Sequence, residues 1–481
     1  MGRNSVDADT GQVPPQLAEL LDLPLLAGVR HWSVSDHVLD ARCEHDDGWL
    51  QARVRLPAIV TTAERLTDPC KVDPSGRAAV DPSLLTRRSA TDLGAGPWGA
   101  AASPTRVGAP VEVVRTRVGE RDATADLTTQ VDRAVAVLLE RGAIGAARVT
   151  LEPPVAPGPV DLDGPAVAAV VEPGREAAGR DLIVAAARLA TRVGGYAAAV
   201  SFGATTHGIG HGWGRWGAGR SVEVRNALTE EDAAAGLTAW AFDTRPWAIL
   251  APSTCWGREV AGRTAAALGA GLTGDAVSLE VDAHHRLLAM KSAFGGAWTV
   301  PITCTSEVQM ATVRAGVLDP ATSRPVFDEP RVAHIGVAPR HRVEVLARSR
   351  EDDLDLLAAA RRVVGIGRGV DPSEYADLAP LTEVLDAELA ATRKVTDAGW
   401  LPRARQLGIT GRSIAPELHV SIGTSGRFNH AIGYARAGTV LAIDLDPAAP
   451  VFDGADIGIV GDWREVLPVL VPAIARAIGR A

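Results

Sequence analysis

The chain has 481 residues, of which 46% are hydrophobic and 22% charged, with 49 Lys and Arg against 58 Asp and Glu and a formal net charge of -9. That length suggests two or three domains, each large enough to bury its own core. The acidic total excludes a general nucleic-acid binder, because such proteins concentrate Lys and Arg on one face. Residues 1–16 are polar, and no run of about 18 apolar residues is free of charge, so neither a signal core nor a membrane span is expected. The four cysteines, Cys43, Cys70, Cys255 and Cys304, form no C-x-x-C pair, which argues against a zinc knuckle and fits a cytoplasmic setting.

The chain reads as three parts: 1–150, 151–330 and 331–481. The first opens with a polar lead and a helix-like run at 16–21, followed by strand-like sequence near 51–61. Residues 67–110 are rich in Pro, Gly and Ser and read as a long loop. Residues 128–141 carry Val131, Ala134, Val135, Val137 and Leu138 at helical spacing, which predicts one amphipathic helix. Residues 152–163 are Pro-rich and read as a linker.

The second part alternates short apolar strands with helices: strand 166–171, helix 181–193, strand 196–202, strand 247–252 and helix 258–268. The third repeats that grammar with strand 361–366, helix 378–391, strand 418–422, helix 427–436, strand 439–443 and helix 465–478. Such alternation predicts an α/β fold, two doubly wound, mostly parallel sheets covered on both faces.

The most informative stretch is 418–446. A strand runs into Gly423-Thr424-Ser425-Gly426, a helix follows, and a second strand ends near Asp444. Glycines let a backbone approach an anion, and the first helical turn points N–H groups at it. Asp444 stands where an acid accepts from a ribose hydroxyl. Such turns also occur for packing reasons. A second glycine turn, 364–369, follows a strand and carries Arg368, suited to a pyrophosphate or simply solvated. His207 and His211 have ligand-like spacing, but in a glycine-rich run they make a poor metal site. His284 and His285 read as an exposed turn between strands. Trp213, Trp216 and Trp256 read as packing residues. No Ser-His-Asp or paired-carboxylate grouping stands out, so no catalytic residue is assigned.

Several motifs then line up. Thr392-Arg393-x-x-x-Asp397-Ala398-Gly399-Trp400, Gly408-x-Thr410-Gly411, Ala415-Pro416-Glu417-Leu418, Ser425-Gly426-x-x-Asn429-His430 and Asp446-Pro447-x-Ala449-Pro450-x-Phe452 resemble the α subunit of electron-transfer flavoproteins. Gly257-Arg258-Glu259, Phe294-Gly295-Gly296 and Thr312-Val313-Arg314 extend the likeness back to about residue 160. Upstream, Leu17-Ala18-Glu19-Leu20-Leu21, Leu56-Pro57-Ala58-Ile59-Val60-Thr61 and Arg65-Leu66-Thr67-Asp68-Pro69 resemble the C-terminal half of the same family's β subunit. The chain thus resembles part of β fused ahead of α.

The resemblance implies a Rossmann-like C-terminal domain that grips FAD, and a carrier of electrons rather than an enzyme. It implies an FAD site built from Arg368, Thr392, Arg393, Leu407, Gly408, Ile409, Thr410, Ser425, Gly426, Arg427, Phe428, Asn429, His430, Asp444, Asp462 and Trp463. In that picture Arg368 lies by the phosphates, Arg393 by the flavin ring, Thr410 near N5 and His430 near the pyrimidine carbonyl. Thr392, Ile409, Asn429 and Asp444 stand where the family usually has Ser, Gln, Gln and Asn. The family's AMP lies in β, whose first half is not matched, and this puts AMP binding in doubt here. The implied partners are a flavin-dependent or similar dehydrogenase as donor and an acceptor such as a quinone-linked oxidoreductase. A β-like chain or a second copy would supply the missing β half. Leu84 and Leu85, within 70–88, are the apolar candidates for docking. A flavin-free relative and a bifurcating, NADH-oxidising complex are the alternatives.

Overall fold

The computed structural model describes every residue except 4–9, 47, 64–65, 68–71, 113–116, 146–153, 204–211, 294–297, 320, 351–355, 358–359, 409–410 and 481. Cys70, His207, His211, Ile409 and Thr410 therefore lie outside the described residues.

Among the described residues, three sheets organise the molecule. The largest runs in the spatial order Arg331–Gly336, Ala218–Arg225, Tyr196–Gly203, Ala166–Val171, Ala248–Pro252, Gln309–Val313, Gly271–Val281, Leu287–Ala293, Trp298–Cys304 and Thr105–Val107. The strands from Arg331–Gly336 to Gly271–Val281 are parallel, and the rest continue antiparallel. The parallel expectation therefore holds for the centre of this sheet, while the antiparallel flank went unread. Its central strands are buried on both faces, which is why Ala166–Val171 is an unbroken apolar run. The turn with His284 and His285 joins two strands, as expected. Trp213 and Trp256 are buried in the cores on the two faces, and Trp216 packs against one of them.

A second sheet joins the early and late parts of the chain. Its order is Val343–Arg350, Gly48–Arg55, Val38–Glu44, Leu25–Ser35 and Ile59–Thr62. Alternating burial along Gly48–Arg55 sets its register, because a one-residue slip would turn Leu50, Ala52 and Val54 to the other face.

The third sheet positions the site. Its five strands, Glu388–Ala391, Arg362–Ile366, Leu418–Ile422, Thr439–Asp444 and Ile457–Val460, are all parallel. Numbered by their order in the chain, they run 2-1-3-4-5 across the sheet. One face buries Val364, Ile366, Val420, Ile422, Leu441 and Ile443 against the helices Ala379–Leu385 and Trp463–Ala477. The other buries Val363, Val440 and Ala442 against Leu407, Ile414, Tyr434 and Phe452.

The helix Leu127–Glu140 belongs spatially to this third sheet. Asp126 caps it by accepting from the Thr129 N–H at 3.0 Å. Its apolar stripe, Val131, Ala134, Val135, Val137 and Leu138, joins the same core as Ile457 and Leu470. Around it, Glu120 O accepts from the Gly458 N–H at 2.8 Å, and Gln130 accepts from the Val460 N–H at 2.9 Å. Arg117 and Arg141 both pair with buried Asp456. This part of the early chain thus packs on the last domain.

Two expected helices are shorter than the sequence suggests. The run 378–391 is a helix only over Ala379–Leu385, after which Asp386 turns left-handed (φ 51°) and Glu388–Ala391 becomes a strand beside Arg362–Ile366. The Ala- and Leu-rich composition favours helix, but the free edge of the neighbouring strand takes these residues. The run 427–436 is helical only over Phe428–Ala431. Beyond it the Gly433 carbonyl accepts from the Ile414 N–H at 2.7 Å, so a neighbouring loop interrupts the helix. Within 67–110, the expected loop contains the short helix Pro74–Ala78 and the strand Thr105–Val107.

Candidate functional site

In a parallel sheet every strand delivers its last residue to the same edge, and ligands gather where the strand order reverses. In the third sheet that point lies between Arg362–Ile366 and Leu418–Ile422. The turns that follow these two strands are 367–369 and 423–426, the two glycine turns singled out in the sequence. They touch each other: the Gly367 N–H donates to Ile422 O at 3.0 Å and the Gly369 N–H to Gly423 O at 3.2 Å. A Cβ on Gly367 would stand 2.0 Å from Gly423 O, and Gly423 itself holds φ +58°. The packing reading of these glycines is therefore correct in part. Both turns lie at the strand ends, on the edge where the strand order reverses.

The other expected residues fall along this edge. Thr392 follows the strand Glu388–Ala391 and donates its N–H to Ile366 O at 2.9 Å. Arg393 begins the short helix Arg393–Asp397, is exposed, and meets Asp397 at 3.3 Å. Arg368, Ser425, Arg427 and Asn429 are exposed. The backbone of Phe428 opens the four-residue helix, next to Gly426 in the preceding turn. Asp444 ends its strand half-buried and accepts from the Asp446 N–H at 3.0 Å. Asp462 caps the closing helix by accepting from the Arg464 N–H at 3.0 Å. Trp463 is buried, and its indole N–H donates to Gly369 O at 3.3 Å. Its observed work is to pin the first glycine turn from below.

Leu407, Gly408 and His430 form the inner flank. Leu407 continues from the end of Glu388–Ala391, donating its N–H to Ala391 O at 2.9 Å. Its own carbonyl lies 3.2 Å from His430 Nδ1. A carbonyl can only accept, so Nδ1 carries the proton in this contact. Burial pushes the His430 pKa down to about 4, so the ring is neutral at pH 7 with its lone pair on Nε2. Nε2 is buried and has no hydrogen-bond partner among the described residues. A negative charge brought to this end of the site would favour the imidazolium, which donates from both nitrogens. The ring is thus a partner whose charge can follow that of its neighbour.

Sequence reasoning did not single out Tyr434 or His419. Tyr434 meets His430 edge-to-face, with ring centroids 5.4 Å apart, and stacks on His419 at 3.9 Å. Strand alternation could have placed His419 on the face opposite Leu418 and Val420, but nothing in the sequence joins it to Tyr434.

Comparison with known proteins identifies the family. A family model described as "Electron transfer flavoprotein FAD-binding domain" matches residues 356–435, and one described as "Electron transfer flavoprotein domain" matches residues 176–340. The electron transfer flavoprotein subunit alpha of Thermoanaerobacterium thermosaccharolyticum is 33% identical over 309 residues, covering 62% of this chain and 92% of that protein. The corresponding subunit of Mycobacterium leprae is 32% identical over 241 residues, covering 50% of this chain and 74% of that protein. Protein FixB of Clostridium saccharobutylicum is 34% identical over 239 residues, covering 48% and 71%. With its matched domains in order and a relative covered almost end to end, this chain belongs to the electron transfer flavoprotein α-subunit family.

Proposed function

We propose that the chain holds one FAD at the edge of the third sheet and carries electrons between a dehydrogenase and an acceptor. The observation that carries this reading is the convergence of Arg368, Thr392, Arg393, Ser425, Gly426, Asp444 and Asp462 on one strand-end edge, at the reversal of strand order. The residues present fit a flavin nucleotide. The two glycine turns stand at the strand ends, where backbone N–H groups would meet a pyrophosphate, and Arg368 stands exposed within one of them. Asp444 is placed to accept from a ribose hydroxyl. Arg393 and the Nε2 of His430, which has no partner among the described residues, would face the ring, with Leu407 and Gly408 behind it, and the family motif adds Ile409 and Thr410 to the same set. Arg427, Phe428 and Asn429 would line the turn after Gly426, with Trp463 supporting from below.

The bound FAD supplies the redox chemistry, and the protein's residues position it and set its electrostatics. Positive charge or an N–H donor from Arg393 and His430 would favour the reduced, negatively charged cofactor, the more so in a partly dry site.

The division into 1–150, 151–330 and 331–481, with the first part derived from a β subunit, is part of the same proposal. Support comes from the match at 356–435, which lies inside 331–481, and from the way residues 117–144 pack on the last domain, whereas the match at 176–340 and the pairing of Arg331–Gly336 with the large sheet carry the second part slightly beyond 330. A β-like chain or a second copy is the partner that would complement the first part. The segment 72–100 is exposed almost throughout, with Leu84 75% and Leu85 66% exposed, and we assign it to docking a donor dehydrogenase. No helix among the described residues is long and apolar enough to cross a membrane, and a cytoplasmic setting is proposed.

Reduction of the FAD-loaded chain tests the carrier role. Stepwise addition of dithionite should reduce the bound flavin, and an artificial quinone acceptor should reoxidise it, with no other substrate consumed. A loaded chain that reduces but passes no electrons to any acceptor would contradict the reading.

A further inference from the structure

His430 sits on a helix of four residues, which gives a side chain little rigidity of its own. Among the described residues, two contacts hold its ring: the carbonyl of Leu407 at Nδ1 and the edge-to-face contact with Tyr434. Tyr434 is 2% exposed, and its far side is occupied by His419, stacked at 3.9 Å with the planes 13° apart. His419 is completely buried on the strand Leu418–Ile422, and both its ring nitrogens lack a hydrogen-bond partner among the described residues. It lies over the neighbouring strand at Gly365, where a Cβ would come within 2.5 Å of His419 Cε1. The result is a column from the centre of the sheet outward: Gly365, His419, Tyr434, His430.

A buried imidazole with no partner on either nitrogen costs desolvation free energy, so packing alone is a poor reason for histidine at 419. Flat rings in contact transmit orientation, because neither can rotate without opening a void on the other. Arg117, paired with Asp456, is the charged group acting on this column from the wrapping segment.

We propose that Tyr434, backed by His419, is a positioning residue that holds the His430 ring for the flavin and thereby sets the potential of the bound cofactor. This rests on the reading that His430 faces the flavin. If so, loss of Tyr434 acts only through His430.

A double-mutant cycle on the FAD-loaded chain separates the possibilities, read as the midpoint potential of the first one-electron reduction. His430→Asn should destabilise the reduced, charged flavin about tenfold, the scale of a hydrogen bond to a charged group, which for one electron is 59 mV. Tyr434→Leu should have an effect of about threefold, the scale of an edge-to-face aromatic pair, and Tyr434→Phe, which keeps the ring, should restore the native value. The double variant Y434L/H430N should match H430N alone. Additive shifts, or a native potential in Y434L where H430N is shifted, would overturn the proposal. An unshifted H430N would instead show that His430 does not face the flavin, and the proposal would fall with that reading. If Y434L does not fold, His419→Leu reads the column from its other end, with a shift in the same direction expected and an unchanged potential contradicting it.

Discussion

His430 and His419 make the sharpest predictions at the scale of single residues. Burial lowers both pKa values, His430 to about 4 and His419 well below the ordinary value. Unfolded, each would titrate near pH 6.5. A base whose folded pKa is depressed binds fewer protons folded than unfolded on the acid side. Its contribution to stability is therefore intact above pH 6.5 and lost as pH falls toward the folded pKa. For His430 alone the loss between pH 7 and pH 5 should be about 2 kcal/mol. Urea unfolding of the flavin-free chain at the two pH values measures it. The variant His430→Phe should flatten the dependence, and an unchanged slope would mean that the ring is charged or exposed in the folded chain. Little of this could be read from sequence. The motif placed His430 at the site, but its tautomer depends on a carbonyl 23 residues away, and its packing depends on Tyr434 and His419 meeting across strand and loop.

Turns and helices carry the next set of expectations. Replacing Gly423 with Ala forces a side chain into left-handed backbone with a Cβ 2.9 Å from Gly369 Cα. Strain of roughly 1–3 kcal/mol should appear locally and push the two turns apart, lowering FAD affinity at least tenfold while the circular dichroism spectrum stays close to native. Flavin binding of native strength in that variant would show that the cofactor does not use this turn. The helix Leu127–Glu140 offers a distinct test. Leu138 is fully buried in the core of the last domain, so Leu138→Ala should cost about 2–5 kcal/mol and speed thermal release of flavin, although the residue lies far upstream in sequence. Release unchanged from native would mean that the helix docks elsewhere. That helix was legible because its stripe has a clear 3.6-residue period. The strand Glu388–Ala391 was not, because its Ala- and Leu-rich sequence favours helix and only a neighbouring strand edge decides otherwise. The helix expected over 427–436 failed for a similar reason, an interruption by the loop at Ile414 that local sequence does not show.

For the molecule as a whole, the alternation of strands and helices after residue 160 was enough to establish the α/β class and two parallel-centred sheets. The sheet that joins Leu25–Thr62 with Val343–Arg350 was not visible, since its pairing spans some 300 residues. Docking belongs to this scale. Leu84→Ala with Leu85→Ala should leave the flavin spectrum unchanged and slow reduction by a donor dehydrogenase about tenfold or more, because exposed apolar anchors contribute to association and not to folding. An unaltered rate would move the docking surface elsewhere.

The central claim is that one FAD sits at the strand-end edge where the glycine turns meet. Its most direct test is the visible absorption spectrum of the gently purified chain, with the released cofactor identified and counted beside the Gly423→Ala variant. The account predicts a flavin spectrum with about one FAD per chain in the native protein, falling sharply in the variant. A colourless native chain that also takes up no added FAD, alone or with a β-like partner, would contradict it.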